Sequence, residues 1–176
     1  MTDLHVSWSE YHHKIEQLAA TVYQSGWQFD QIICLARGGL RIGDILSRIY
    51  DCPLAVLAAS SYHDQHRGAL NIASTLTMAT PKLGTKVLLV DDLVDSGQTL
   101  KQTLVWLQQH TDIDQVRTAV IWCKAASVIE PHYFVEHLAD NPWIHQPFEL
   151  YEQIKPQDLG EKFLDSLPPI AATENC

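Results

Sequence analysis

Three acidic residues fall close together in the run Val87-Leu88-Leu89-Val90-Asp91-Asp92-Leu93-Val94-Asp95-Ser96-Gly97-Gln98-Thr99. Asp95 has two readings. As a helix N-cap it would accept from free backbone N–H groups while Gln98 reaches back in a capping box. Held beside a substrate, the same carboxylate can take a proton as a general base. The cap reading leaves Gly97 and the hydroxyls of Ser96 and Thr99 unexplained. Glycine allows a backbone to approach a ligand closely. Hydroxyls beside the unpaired N–H groups of a helix start make a cradle for phosphate.

Asp91 and Asp92 could be solvated loop charges. Four apolar residues before them and two after argue instead for a partly enclosed site. Hard oxygen donors there suit Mg²⁺, which binds through one or two carboxylates and substrate oxygens. They could equally pair with ribose hydroxyls. Arg37-Gly38-Gly39 reads either as a tight turn with a surface arginine or as a second anion site. In the second reading, glycine N–H groups and a bidentate guanidinium hold phosphate.

These residues need elements to position them. Ser7 and Glu10 make a capping box. After it, Tyr11, Ile15, Leu18, Ala19 and Val22 fall on one face of an amphipathic helix closed by Gly26. Ile32 to Ala36 is a short apolar run, the pattern of a strand buried on both faces. A helix over Leu40 to Tyr50 carries Ile42, Ile45, Leu46 and Ile49. Strands are expected over Pro53 to Ala59, Val87 to Val90 and Val116 to Cys123, the last ended by Lys124. Leu70 to Met78 reads as a half-exposed strand before a turn at Pro81 to Thr85. A helix with Leu100, Leu104 and Leu107 on one stripe runs to about His110. Tyr133 to Leu138 and Phe148 to Ile154 are further strand candidates. Ser60 to Gly68 is a polar, mobile loop, and the tail from Leu167 is loosely ordered.

Buried strands alternating with amphipathic helices specify an α/β fold with a mainly parallel twisted sheet. Ligands in such sheets bind outside the carboxyl ends of the strands. Arg37-Gly38-Gly39, Asp91 to Thr99 and Lys124 all fall there.

Composition sets outer bounds. The chain has 176 residues and an apolar fraction of 46%, enough for one domain with a full core. The net charge of −9 argues against nucleic-acid binding, which needs clustered Lys and Arg. No apolar run suits a membrane span, and Met1 to Glu10 lacks the order of a secretory signal. Cys34, Cys52, Cys123 and Cys176 show no C-x-x-C spacing, so a cytoplasmic, reduced protein is expected. The nine histidines are scattered without H-x-x-x-H spacing and read as solvated or core residues.

The run from Val87 to Thr99, with L-A-R-G-G-L, S-S-Y, W-C-K-A and P-W-I-H-Q-P, resembles the type I phosphoribosyltransferases. The likeness is strongest to the bacterial xanthine-guanine members and covers about Val6 to Glu149. It implies a Rossmann-like sheet with a small hood subdomain. It also implies transfer of the 5-phosphoribosyl group of phosphoribosyl pyrophosphate (PRPP) to a 6-oxopurine, with Mg²⁺. By that resemblance Ser96, Gly97, Gln98 and Thr99 would hold the 5′-phosphate, and Asp91 and Asp92 ribose and metal. Ala36, Arg37 and Gly38 would bind pyrophosphate, in a loop often entered by a cis peptide, here Ala36–Arg37. Asp95 would be the general base near purine N7. Lys124 would meet the 6-oxo oxygen, Trp143 would stack on the base, and the Ile144 backbone would read its 2-position. Ser61 and Tyr62 would belong to a mobile closing loop.

Against these roles stand a solvated strand end for Lys124 and a core aromatic for Trp143, each the lesser alternative. The resemblance further implies a homodimer or homotetramer. Residues 1–154 would form the phosphoribosyltransferase domain with its hood, and 155–176 a partly flexible extension. Two alternatives stand beside the enzyme: a PRPP- or nucleotide-sensing regulator on the same fold, and a phosphoribosyltransferase for another base.

Overall fold

A computed structural model describes residues 3–61, 70–164 and 166. The first element, β1 (Leu4–His5), leads into α1 (Trp8–Gln24). Ser7 caps α1 through the expected box: its hydroxyl accepts from Glu10 N–H at 3.2 Å, and Glu10 accepts from Ser7 N–H at 2.8 Å. Next come β2 (Gln31–Ala36), α2 (Leu40–Tyr50), β3 (Leu54–Ser61), β4 (Leu70–Ile72) and β5 (Thr77–Met78). The chain continues through β6 (Lys86–Val90), β7 (Leu93–Val94), α3 (Gln98–His110), β8 (Gln115–Lys124), β9 (Tyr133–Leu138) and β10 (Ile144–His145). A 3₁₀ turn (Glu149–Glu152) and α4 (Pro156–Lys162) close the described chain.

The main sheet is parallel through β3, β2, β6, β8 and β9, and β4 and β5 pair antiparallel with the outer edge of β3. Strand β7 also pairs with β8, through Leu93 opposite Trp122 and Val94 opposite Cys123. Since β9 occupies the other edge of β8, β6 and β7 follow one another along the same edge. The two acids, Asp91 and Asp92, fill the gap between them. Strands β1 and β10 pair separately and in parallel. That pair and the 3₁₀ turn form the small hood.

Alternation along the strands builds two cores. Ile32, Cys34, Leu88, Val90, Ala119 and Ile121 face Tyr11, Ile15, Leu18, Val22, Ile42 and Leu46 of α1 and α2. On the opposite face, Ile33, Leu35, Val87, Leu89 and Val120 pack with Leu100 and Leu107 of α3. The sheet is therefore covered on both faces, as apolar parallel strands require.

Several expectations need correction. Leu70 to Met78 is two short strands rather than one, each pairing with a different part of β3. Phe148 to Ile154 is not a strand, and its middle, Glu149–Glu152, is a 3₁₀ turn. Phe148 is drawn inward against Tyr11, with ring centroids 5.7 Å apart, while Leu150 and Tyr151 stay exposed. Its apolar spacing imitated a strand without a sheet edge to join. Ile49, expected on the inner face of α2, is 52% exposed. Helix α4 was missed, although Pro156 at its first position and Asp158 accepting from Lys155 N–H are ordinary start signals. Tyr62, and with it most of the polar loop, lies outside the described residues, as does the whole tail from Leu167. Ser61 ends β3, its backbone opposite Leu70.

Helix α2 sits close on the sheet because Gly43 has no side chain. A Cβ there would lie 2.6 Å from Cys34 Cβ and 3.1 Å from Leu54 Cδ1. Gly43→Val is expected to lower stability by about 1–3 kcal/mol through overpacking, measured by urea unfolding. An unchanged midpoint would show that the helix can lift without cost.

Candidate active site

At the carboxyl ends of β2, β6 and β8, one cleft of about 860 Å³ collects Arg37, Gly38, Asp92, Asp95, Lys124, Trp143 and Ile144. Its volume lies in the range of small-molecule sites. Ser96 to Thr99 stand beside it at the start of α3, and Asp91 lies behind Asp92 at the end of β6.

The acidic pair is locked by the backbone. Asp91 N–H donates to Ala119 O at 3.2 Å, and the Asp92 carbonyl accepts from Ile121 N–H at 3.0 Å. The sheet ladder thus runs on while both carboxylates leave it. Gly38 and Gly39 press against this point. A Cβ on Gly38 would meet Asp92 Oδ1 at 2.5 Å, and one on Gly39 would meet the Val90 carbonyl oxygen at 2.5 Å. The glycines of Arg37-Gly38-Gly39 are therefore required by close approach to β6, beyond any role in exposing N–H groups. The Ala36–Arg37 peptide is cis, as the resemblance implied.

Asp91 is half-buried by surface, yet protein crowds its carboxyl. Burial first, and the charge of Asp92 second, raise its pKa well above the usual carboxylate range. Asp92 N–H donates to Asp91 Oδ1 at 3.0 Å and partly offsets this. Two adjacent carboxylates that repel one another, with hard oxygen donors, fit a divalent cation such as Mg²⁺.

Asp95 does not cap α3. The N-cap is Gly97, at φ +78°, and no side chain bonds to it. That left-handed turn costs glycine little, and a side chain there would collide with Ser127 and Ile129. Asp95 instead points its carboxylate at Lys124, with Oδ1 3.3 Å from Nζ. The pair is asymmetric: the Lys124 side chain is 8% exposed and that of Asp95 63%. Lys124 is therefore not a solvated strand end. Ser96 Oγ accepts from Gln98 N–H at 3.4 Å, a weak contact that leaves the first turn of α3 open to an anion.

Trp143 is 61% exposed and lines the cleft, so the core-aromatic alternative fails. Ile144 beside it is buried in β10. Arg37 is largely exposed, with Nη2 3.5 Å from Glu152 Oε1, an ion pair worth little in water.

Arg41 and Gln146 are among the cleft residues that escaped the sequence reading. Arg41 of α2 lies with its guanidinium 4.0 Å from the centre of the Phe148 ring, and in sequence it looks like any helical surface charge. Gln146 is 5% exposed, and its Nε2 donates to Asp92 Oδ2 at 2.5 Å. Its Oε1 is buried without a partner among the described residues. Gln146 thus ties the hood to the acidic pair and presents an unused acceptor. Its place in P-W-I-H-Q-P was visible, but nothing in the string showed which neighbour it would meet.

A family model described as the phosphoribosyl transferase domain matches residues 7–153. This chain belongs to that family. The phosphoribosyltransferase is 32% identical over 152 residues to a xanthine-guanine phosphoribosyltransferase of Idiomarina loihiensis, covering 83% of this chain and 86% of that one. It is 28% identical to the protein of that description from Roseobacter denitrificans, covering 83% and 85%. Its fold is similar to that of the purine phosphoribosyltransferase of Pyrococcus horikoshii Ot3, with TM-score 0.69, 26% identity, and 84% and 94% coverage. A Helicobacter pylori xanthine-guanine-hypoxanthine phosphoribosyltransferase shares the fold at TM-score 0.73 and 24% identity, covering 91% and 99%. Among the described residues of this phosphoribosyltransferase, no helix is long and apolar enough to cross a membrane.

The raised pKa of Asp91 means that the folded chain favours its protonated form. That contribution to stability is full below the unfolded-state pKa of about 3.9 and is lost as pH rises through the higher folded value. In metal-free buffer Asp91→Asn, which keeps the shape and cannot ionise, is expected to melt above wild type near about pH 8. The difference should vanish near about pH 4. A wild type that melts higher near pH 8 would overturn the assignment of strain to this carboxylate.

Proposed function

We propose that the chain transfers the 5-phosphoribosyl group from PRPP to a 6-oxopurine, guanine, xanthine or hypoxanthine. The products are pyrophosphate and a nucleoside 5′-monophosphate. The observation that carries this reading is the contact of Lys124 with Asp95 inside the cleft. Purine O6 and N7 lie side by side on one edge of the base. A buried ammonium beside a carboxylate matches that edge, donating to O6 and accepting a proton from N7.

The Lys124 ammonium has three donors and no acceptor, so it favours a 6-oxo group over the 6-amino group of adenine. Trp143 offers an open face for stacking, and the Ile144 backbone reads the 2-position. Ser96, Gly97, Gln98 and Thr99 seat the 5′-phosphate at the start of α3. Ala36, Arg37 and Gly38 take pyrophosphate, for which Arg37 gives up its weak contact with Glu152. Asp91 and Asp92 hold the ribose hydroxyls and the Mg²⁺ site, with Asp92 kept in place by Gln146. Mg²⁺, when bound, supplies positive charge to the departing pyrophosphate.

As purine N9 attacks the anomeric carbon and the bond to pyrophosphate breaks, the base loses its N7 proton to Asp95. The similarity to curated xanthine-guanine phosphoribosyltransferases supports the same substrate class. Residues 1–154 are proposed as the catalytic unit and 155–176 as an extension of it. Ser61 and Tyr62 are proposed as part of a closing loop, and the assembly as a homodimer or homotetramer.

A base panel followed by absorbance tests the substrate class. Guanine or hypoxanthine, with PRPP and Mg²⁺, is expected to yield monophosphate, and adenine is not. If PRPP binds while no base reacts, the regulator reading replaces this one. Asp95→Ala is expected to keep PRPP binding and slow nucleotide formation by at least ~10²-fold, the scale of general acid–base catalysis. Wild-type turnover in that variant would remove Asp95 from the chemistry.

A further inference from the structure

The histidines are scattered in sequence but not wholly in space. Strand β1 lies parallel to β10 with Leu4 opposite Ile144 and His5 opposite His145. Leu4 N–H donates to Trp143 O at 2.8 Å and Val6 N–H to His145 O at 3.0 Å, which holds this register. Residues paired across two strands project to the same face. Leu4 and Ile144 therefore share the inner face, and the two histidines share the outer one.

Their imidazole rings stack with centroids 4.4 Å apart and planes within 10°. Asp3 reaches the same spot, its Oδ2 3.1 Å from His145 Nε2. One ligand atom from each of Asp3, His5 and His145 lies within 4.8 Å of the other two. The far ring nitrogen, His145 Nδ1, faces Glu149 Oε2 at 3.9 Å.

We propose that Asp3, His5 and His145 form a binding site for a divalent transition-metal ion of the zinc class, separate from the Mg²⁺ site. Two imidazoles and one carboxylate are a three-ligand set with a fourth position left for water. Imidazole nitrogen suits Zn²⁺, Ni²⁺ or Cu²⁺ and is a poor ligand for Mg²⁺, whereas the oxygen-only pair Asp91 and Asp92 has the opposite preference. A tetrahedral ion with bonds of about 2.0–2.1 Å needs donors roughly 3.3–3.5 Å apart.

Asp3 and His145 already stand near that separation, and the exposed His5 ring has a nitrogen within 4.8 Å of both. Glu149 Oε2, 3.9 Å from the far nitrogen, is a carboxylate close enough to accept from Nδ1–H with a small shift when Nε2 ligates. The bound ion ties β1 to the strand that carries Ile144 and leads into Gln146. Metal on the outside of the hood therefore stiffens the wall of the cleft.

Untagged protein, stripped with chelator and returned to excess Mg²⁺, is titrated with Zn²⁺ by calorimetry. One equivalent is expected to bind despite the Mg²⁺. His5→Ala and Asp3→Asn, both outside the cleft, are each expected to weaken it at least ~10-fold. Their zinc-free melting temperatures report whether either variant has lost its fold, and one folded variant suffices. No zinc uptake overturns the proposal. So does equal affinity in wild type and a folded variant, or uptake that thiol alkylation abolishes and these substitutions do not touch.

Discussion

The cleft depends on a strand that stops and restarts along one neighbour. Strands β6 and β7 share the same edge of β8, and the peptide groups of Asp91 and Asp92 bridge the gap with ladder hydrogen bonds. Buried backbone donors and acceptors must be paired, and here they are paired without the side chains remaining in the sheet. Two carboxylates can therefore leave the end of an apolar strand at a cost confined to their own partial burial. That cost shows in the raised pKa of Asp91. The loop after β2 closes down on this point, and only glycine fits there. Position 38 abuts the Asp92 carboxylate, and position 39 abuts the Val90 carbonyl.

The acidic character of the chain, with its net charge of −9, reaches into the cleft, where Arg37, Arg41 and Lys124 stand among Asp44, Asp92, Asp95, Glu149 and Glu152. Screening by salt limits each charge to its neighbourhood, so an anion there would depend on direct contact with those cations and with helix N–H groups, and a divalent cation would offset the carboxylates. The two cation types are held differently. Arg37 is exposed and weakly held by Glu152, so its guanidinium is free to move. Lys124 is buried at the end of β8 and held by Asp95, so its ammonium is fixed in place.

The sheet and both helical layers were legible because apolar periodicity is a local signal. The strands at 32–36, 87–90 and 116–123 and the capping box at Ser7 all occur where the pattern put them. Elements whose existence depends on a distant partner were not legible. Two-residue β1 and β10 exist only because they pair with each other across nearly the whole chain. Phe148 to Ile154 has strand spacing, but its first aromatic is claimed by Tyr11 and Arg41. The site divides in the same way. Asp91 to Thr99 was readable because its residues are contiguous. Gln146 was not, because its meaning is a contact with Asp92 from another part of the fold.

Asp95 shows why local rules fail where function is concentrated. Residue type and spacing favour a helix cap, and a cap would have spent the carboxylate on backbone N–H groups. Gly97 removes that option by turning the chain through a positive φ, so the helix begins two residues later without a side-chain cap. The N–H groups that Asp95 would have satisfied stay open to an anion. Its carboxylate turns to Lys124 instead. One glycine thus separates the open start of α3 from the Asp95 carboxylate, which pairs with Lys124 and not with the helix. The cost to the helix is small, because glycine at an N-cap is worse than a capping side chain by only about a few tenths of a kcal/mol.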